Sequence, residues 1–176
     1  GQFRNWFYSL LTMSTVLENA EPCRTIFSYA LMRDEKGKEM HKSKGNAIWF
    51  GDAAEKMGVD AMRWLYCRHN PAANLNFGFN VADEVRRRFM IPLWNVYSFF
   101  VTYANIDGYN PGSSSRSHKS TRPGVQNRPE LDRWIISELN SLIVNVTDDL
   151  EKYEPGSACR NVESFVGYLS NWYVRR

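Results

Sequence analysis

Between residues 131 and 150 the apolar side chains Leu131, Trp134, Ile135, Leu139, Leu142, Ile143, Val146 and Leu150 recur every three or four positions, which is the period of one helix face. A stripe of that length must be buried against other elements, and it predicts a helix opened by Pro129 at its first position. Two further segments carry the same period: Val81, Val85, Phe89, Leu93, Val96, Phe100, Val101 and Ala104, and then Ala158, Val162, Phe165, Val166, Leu169 and Tyr173 after the breaker Glu154-Pro155-Gly156. Three helices with apolar faces predict a bundle. Asn80 is the expected cap of the helix over 81–104, with Asp83 and Glu84 favourable in its first turn. Pro92 lies inside that pattern and is expected to kink or divide it.

The N-terminal half is more varied. Phe3, Phe7, Leu10, Leu11, Ser14 and Leu17 predict a helix over 3–17. Residues 25–32 are short, apolar and rich in β-branched and aromatic side chains, the composition of a buried strand. Asp34-Glu35-Lys36-Gly37-Lys38 reads as the turn that follows. Residues 39–46 are polar and basic and contain Gly45, so they are expected as an exposed loop, where functional residues concentrate. Two short helices should follow, over 52–57 closed by Gly58 and over 60–69 closed by Asn70-Pro71. Residues 108–128, rich in Gly, Pro, Ser, Asn and Arg, read as a mobile connection.

The length of 176 residues allows one domain or two small ones, and a hydrophobic fraction of 43% with 14% aromatics excludes disorder over most of it. A net charge of +3 permits a polyanionic partner without requiring one. Cys23, Cys67 and Cys159 are odd in number and form no C-x-x-C pair, so neither a disulfide framework nor a zinc site is expected. His41, His69 and His118 are scattered, and no metal site is expected from the protein itself. No apolar run reaches the roughly 18 residues of a membrane span, and there is no signal-peptide pattern at the start, so a soluble protein of the reducing cytoplasm is expected. The chain begins and stops inside amphipathic patterns without caps, as a piece cut from a longer chain would.

The chemistry concentrates in Glu39-Met40-His41-Lys42-Ser43-Lys44-Gly45-Asn46, where two lysines stand beside hydroxyl and amide donors and Gly45 allows close backbone approach to an anion. Such a loop could bind polyphosphate. It is not a Walker loop, because Met32 stands where the first glycine of G-x-x-x-x-G-K-[ST] would be. Taken by itself, a short basic turn is more often solvated surface.

The loop resembles the Lys-Met-Ser-Lys-Ser signature of the class I aminoacyl-tRNA synthetases: Met40, Lys42, Ser43, Gly45 and Asn46 match, while Glu39 replaces the first lysine and His41 the first serine. The resemblance extends along nearly the whole chain. Gly1-Gln2-Phe3-Arg4-Asn5-Trp6-Phe7 is similar to the segment in which a glutamine touches the aminoacyl-adenylate and a tryptophan walls the side-chain pocket. Gly1 and Asn5 depart from the usual Asp and Gly there. Gly58-Val59-Asp60-Ala61-Met62-Arg63-Trp64 resembles the stem-contact run, and Leu93-Trp94-Asn95-Val96-Tyr97 and Leu131-Asp132-Arg133-Trp134-Ile135 resemble the opening helices of the anticodon-binding domain in the Ile, Val, Leu and Met subgroup. Asn171-Trp172-Tyr173-Val174-Arg175-Arg176 is similar to a later helix seen most clearly in the isoleucine enzymes.

The resemblance implies a mainly α chain: the end of a Rossmann-type catalytic domain over 1–50, a stem-contact region over 51–79, and an anticodon-binding helical bundle over 80–176 interrupted by the connection. It implies Lys42 as the catalytic cation, stabilising charge on the triphosphate as the amino-acid carboxylate attacks the α-phosphorus. Met40, His41, Lys42, Ser43 and Lys44 then form the ATP-binding set, with Lys44 a candidate for the charge lost at Glu39. Gln2 and Trp6 fall in the amino-acid pocket, although without the resemblance ordinary core packing on the Phe3-Phe7-Leu10 face is the preferred reading of Trp6. ATP with Mg, isoleucine, tRNA-Ile and the remainder of a parent chain are the implied partners, valine being the nearest competing substrate because one methylene changes pocket affinity by only about 1–3 kcal/mol.

Arg86, Arg87, Arg88, Arg175 and Arg176 are candidate tRNA contacts, but successive helical residues point about 100° apart, so the three neighbours cannot all meet one partner. The family's His-Ile-Gly-His-type motif is absent, so the chain alone is not expected to catalyse. Two other readings remain open: a non-catalytic tRNA-binding paralogue, favoured by Glu39 and His41, and a plain helical interaction bundle without salt-dependent affinity for tRNA.

Overall fold

The computed structural model describes residues 5–109 and 124–176. Gln2 and most of the connection expected over 108–128 lie outside them. The architecture is mainly helical, in the order α1 (Trp6–Glu18), β1 (Met32–Arg33), α2 (Phe50–Met57), α3 (Val59–Arg68), β2 (Leu75–Asn76), α4 (Phe79–Val85), α5 (Ile91–Ile106), α6 (Glu130–Glu151) and α7 (Pro155–Tyr168). The two strands pair in parallel, Met32 beside Leu75 and Arg33 beside Asn76.

The buried strand expected over 25–32 is not there. Only Met32 belongs to a strand, and Ile26, Phe27, Tyr29 and Leu31 are exposed, Tyr29 by 80%. The reason is the lack of neighbours. The segment's backbone hydrogen bonds run to 71–75, through Ala30 N–H to the Pro71 carbonyl, Leu31 N–H to Asn74 Oδ1, and Leu75 N–H to the Leu31 carbonyl, and Tyr66 OH donates to Met32 Sδ at 2.8 Å. A strand buried on both faces needs a wider sheet than β2 supplies.

The core gathers on α2, α3 and α4. Ala53 and Met57 are 1% exposed, and Met62, Leu65, Leu75, Phe77, Ala82 and Val85 complete a cluster against which Met40, Ile48, Trp64 and Val81 pack. Between α2 and α3 the chain reverses at Gly58, whose φ of +83° an L side chain would resist. The expected pair of short helices is therefore present, each starting one or two residues early.

Asn80 does not cap α4. The helix begins at Phe79, and the Asn80 N–H is itself an orphan donor of the first turn. Glu35 satisfies it from 45 residues upstream: Oε1 accepts the Asn80 N–H at 2.6 Å and Oε2 accepts Asn80 Nδ2 at 2.8 Å. Gly78 makes room, since a Cβ there would collide with the Glu35 side chain.

The helix expected over 81–104 is divided ahead of Pro92. Arg86–Met90 form a widened π turn in which the Ile91 N–H donates to the Arg86 carbonyl, and Pro92 then sits in the first turn of α5, so the helical path continues. A second π turn, Leu169–Tyr173, extends α7. Pro129 stands just outside α6, one position before the first helical residue.

α6 packs along α7, which also packs on α3; Ile135 is buried on α6, and Ala158, Cys159 and Val166 are buried on α7. Tyr173 OH donates to Asp132 Oδ1 at 2.8 Å and Asn161 Nδ2 to Asp149 Oδ2 at 2.9 Å. α7 also locks onto α3: Glu163 accepts Trp64 Nε1 at 3.0 Å and pairs with Arg68 Nε at 2.9 Å, and Trp64 stacks on Phe89 with ring centroids 3.8 Å apart. α5 buries none of its residues and leaves an open groove of about 800 Å³ toward α6 and the end of α7, lined by Phe100, Tyr103, Leu131 and Leu169.

Candidate nucleotide-binding loop and RNA-facing helices

β1 delivers the chain into a tight turn. Asp34 Oδ1 accepts the N–H groups of Lys36 (3.0 Å) and Lys38 (2.8 Å), the Asp34 N–H donates to the Lys38 carbonyl at 2.8 Å, and Gly37 takes φ +76°. This is an Asx-type turn, as its composition predicts. Glu39 then bridges back to Arg33 in antiparallel fashion, so the loop over 39–46 starts from a fixed edge.

Asn46 closes the loop at its other end. Its Oδ1 accepts the His41 N–H at 2.9 Å, while its Nδ2 donates to the Glu39 carbonyl at 3.0 Å and to Asp34 Oδ2 at 3.0 Å. The hydrogen bond from Asn46, then that from the Lys38 N–H, hold the Asp34 carboxyl below its ordinary pKa. Between these anchors Lys42–Lys44 form one 3-10 turn ended by Gly45 at φ +69°, a conformation that suits glycine.

Lys42, Ser43 and Lys44 are all exposed, while Met40 is half-buried against the core. The Lys42 Nζ lies 4.7 Å from the centre of the Trp49 ring, a cation–π contact at a solvent-facing site. Glu39 and His41, the two departures from the signature, pair with each other at 3.4 Å. The loop therefore presents two cations and a hydroxyl on a short turn clamped at both ends, an arrangement suited to anionic oxygens.

The remaining candidates are less gathered. Trp6 is 63% exposed on α1, a helix that buries none of its residues, so packing in the described core does not explain it. Of the three adjacent arginines, Arg86 pairs with Asp83 and Arg88 with Glu84 at 3.0 Å, leaving Arg87 exposed without an ion pair among the described residues. Arg176 lies over the Trp172 ring at 4.7 Å, and Arg175 is exposed. Asp34, Glu35, Trp49 and Glu163, which organise the loop and its support, do not stand out in the sequence. Asn46 does, through the Gly-Asn continuation of the signature.

The description "tRNA synthetases class I (I, L, M and V)" matches residues 1–78, and "Anticodon-binding domain of tRNA ligase" matches residues 132–176. A solved structure of an Agrobacterium radiobacter K84 LeuRS, in a ternary complex with tRNA and LeuAMS, has the same fold over 93% of this chain and 20% of its own, with a TM-score of 0.68 at 18% identity. The chain belongs to the class I tRNA synthetases of the I, L, M and V group.

Within that class its relatives include isoleucine–tRNA ligases. The protein of Dehalococcoides mccartyi is 46% identical and that of Thermus thermophilus 41%, each over 99% of this chain. The chain spans only 17% and 16% of the length of these two relatives. No helix among the described residues is long and apolar enough to cross a membrane.

Proposed function

We propose that this chain supplies the triphosphate-binding loop and tRNA-contacting helices of a cytoplasmic isoleucine–tRNA ligase, which activates isoleucine with Mg-ATP and transfers it to tRNA-Ile. The reading is carried by one observation: an exposed turn bearing Lys42 and Lys44, tethered at both ends, lies in a chain 46% identical to an isoleucine–tRNA ligase. Lys42 engages the triphosphate as charge redistributes during in-line displacement, and Met40, His41, Ser43 and Lys44 shape the ATP-facing loop. Gln2 and Trp6 belong to the amino-acid pocket. Arg86, Arg87, Arg88, Arg175 and Arg176 face tRNA phosphates, with Arg87 the readiest because it has no carboxylate partner on its own helix.

Residues 1–50 then close the catalytic domain, 51–79 form the stem-contact region, and 80–176 open the anticodon-binding bundle. The exposed apolar faces of α1, residues 25–31 and α5 are covered by other segments of the longer ligase.

Amino-acid-dependent exchange of pyrophosphate into ATP by the full-length ligase tests the reading. Isoleucine should support exchange with a kcat/KM roughly 10²-fold above that for valine. Preference for valine would overturn the substrate assignment. The Glu39–His41 pair favours a second reading, a non-catalytic tRNA-binding paralogue, and exchange with no amino acid would leave that one standing.

A further inference from the structure

Asn46 occupies a position that the chemistry of the signature loop does not itself require, yet its side chain is fully committed. The acceptors at Glu39 O and Asp34 Oδ2 take both amide hydrogens, and the His41 N–H takes the amide oxygen. The orientation is unambiguous, because a carboxylate and a carbonyl can only accept and a backbone N–H can only donate. Asp34 is pinned in turn by the N–H groups of Lys36 and Lys38. A chain of hydrogen bonds thus runs from the rigid turn after β1, through Asn46, to the backbone on the near side of Lys42.

Only a carboxamide can perform all three tasks. A carboxylate at position 46 could accept from His41 but would face the Asp34 carboxylate and the Glu39 carbonyl with no hydrogen to offer. With residues 39, 41 and 46 drawn together, the 3-10 turn Lys42–Lys44 is held outside the clamp as a single short arch.

We propose that Asn46, oriented by Asp34, is a positioning residue that sets where Lys42 stands over the nucleotide phosphates. This rests on the role proposed above for Lys42, and the effect is transmitted through Lys42 rather than by contact of Asn46 with ATP. Misplacement of a catalytic group by about 1 Å can lower a rate by about 10²-fold, so loss of the clamp should appear in kcat.

The test is pyrophosphate exchange by the full-length ligase carrying Asn46→Ala, Lys42→Ala, both together, Asn46→Asp, and the exchanged pair D34N/N46D. Asn46→Ala should lower kcat by about 10- to 10²-fold with the KM for isoleucine unchanged. In the Lys42→Ala background it should cost no more than about twofold, because the group it positions is already gone. The exchanged pair puts a donor at position 34 opposite a carboxylate at 46, and should exceed Asn46→Asp alone by about fivefold or more. That comparison keeps the test decisive should the alanine variant not fold.

Full activity of Asn46→Ala, an undiminished loss in the Lys42→Ala background, or an exchanged pair no better than Asn46→Asp would each overturn the proposal. Wild-type exchange by Lys42→Ala alone would instead remove the role of Lys42, and the positioning role with it.

Discussion

At Asp34, hydrogen bonds from Asn46, Lys38 and Lys36 favour the ionised carboxyl and pull its pKa down. A carboxyl with a depressed folded-state pKa contributes stability that is fully present above its unfolded value and is lost as pH falls through the folded one. The loop clamp should therefore hold at neutral pH and loosen only in acid. A site-resolved NMR titration should find Asp34 ionising below the ordinary carboxylate range, and Asn46→Ala should move it upward. An Asp34 that titrates normally, or ignores Asn46→Ala, would contradict the network. Lys42 and Ser43 are legible in the sequence because the signature names them. The part played by Asp34 is not, because an Asp before Glu-Lys-Gly reads simply as a turn former.

The helices were legible wherever an apolar period of three and four persists, as in α6, α7 and the path from α4 to α5 through Pro92. Their ends were less so. Local sequence offers Asn80 as a cap, yet the acceptor is Glu35, and no spacing rule reaches across 45 residues. Residues 25–32 failed for another reason: apolar and β-branched composition reports that a segment will be covered, not what covers it. The cap gives a prediction for α4. Glu35→Ala should cost its first turn about 1 kcal/mol, read as faster amide exchange at Asn80 in the full-length protein. Unchanged protection there would mean that Glu35 is not the cap.

Over the whole molecule, the packed cluster on α2, α3 and α4 joins a loop on one side to a helical bundle on the other. Glu163 binds Trp64 and Arg68 across that boundary, Trp64 stacks on Phe89, and Gly156 lets α7 approach the end of α3, where a Cβ would stand 3.2 Å from the Arg68 carbonyl oxygen. Ties of this kind join the cluster that supports the loop to the helical bundle. The central claim is that Lys42 acts on the triphosphate in the transition state. Single-turnover formation of isoleucyl-adenylate by full-length Lys42→Ala enzyme tests it most directly. The account predicts a rate lower by about 10²-fold or more, with isoleucine affinity near the unmodified value; adenylate formed at the unmodified rate would contradict it.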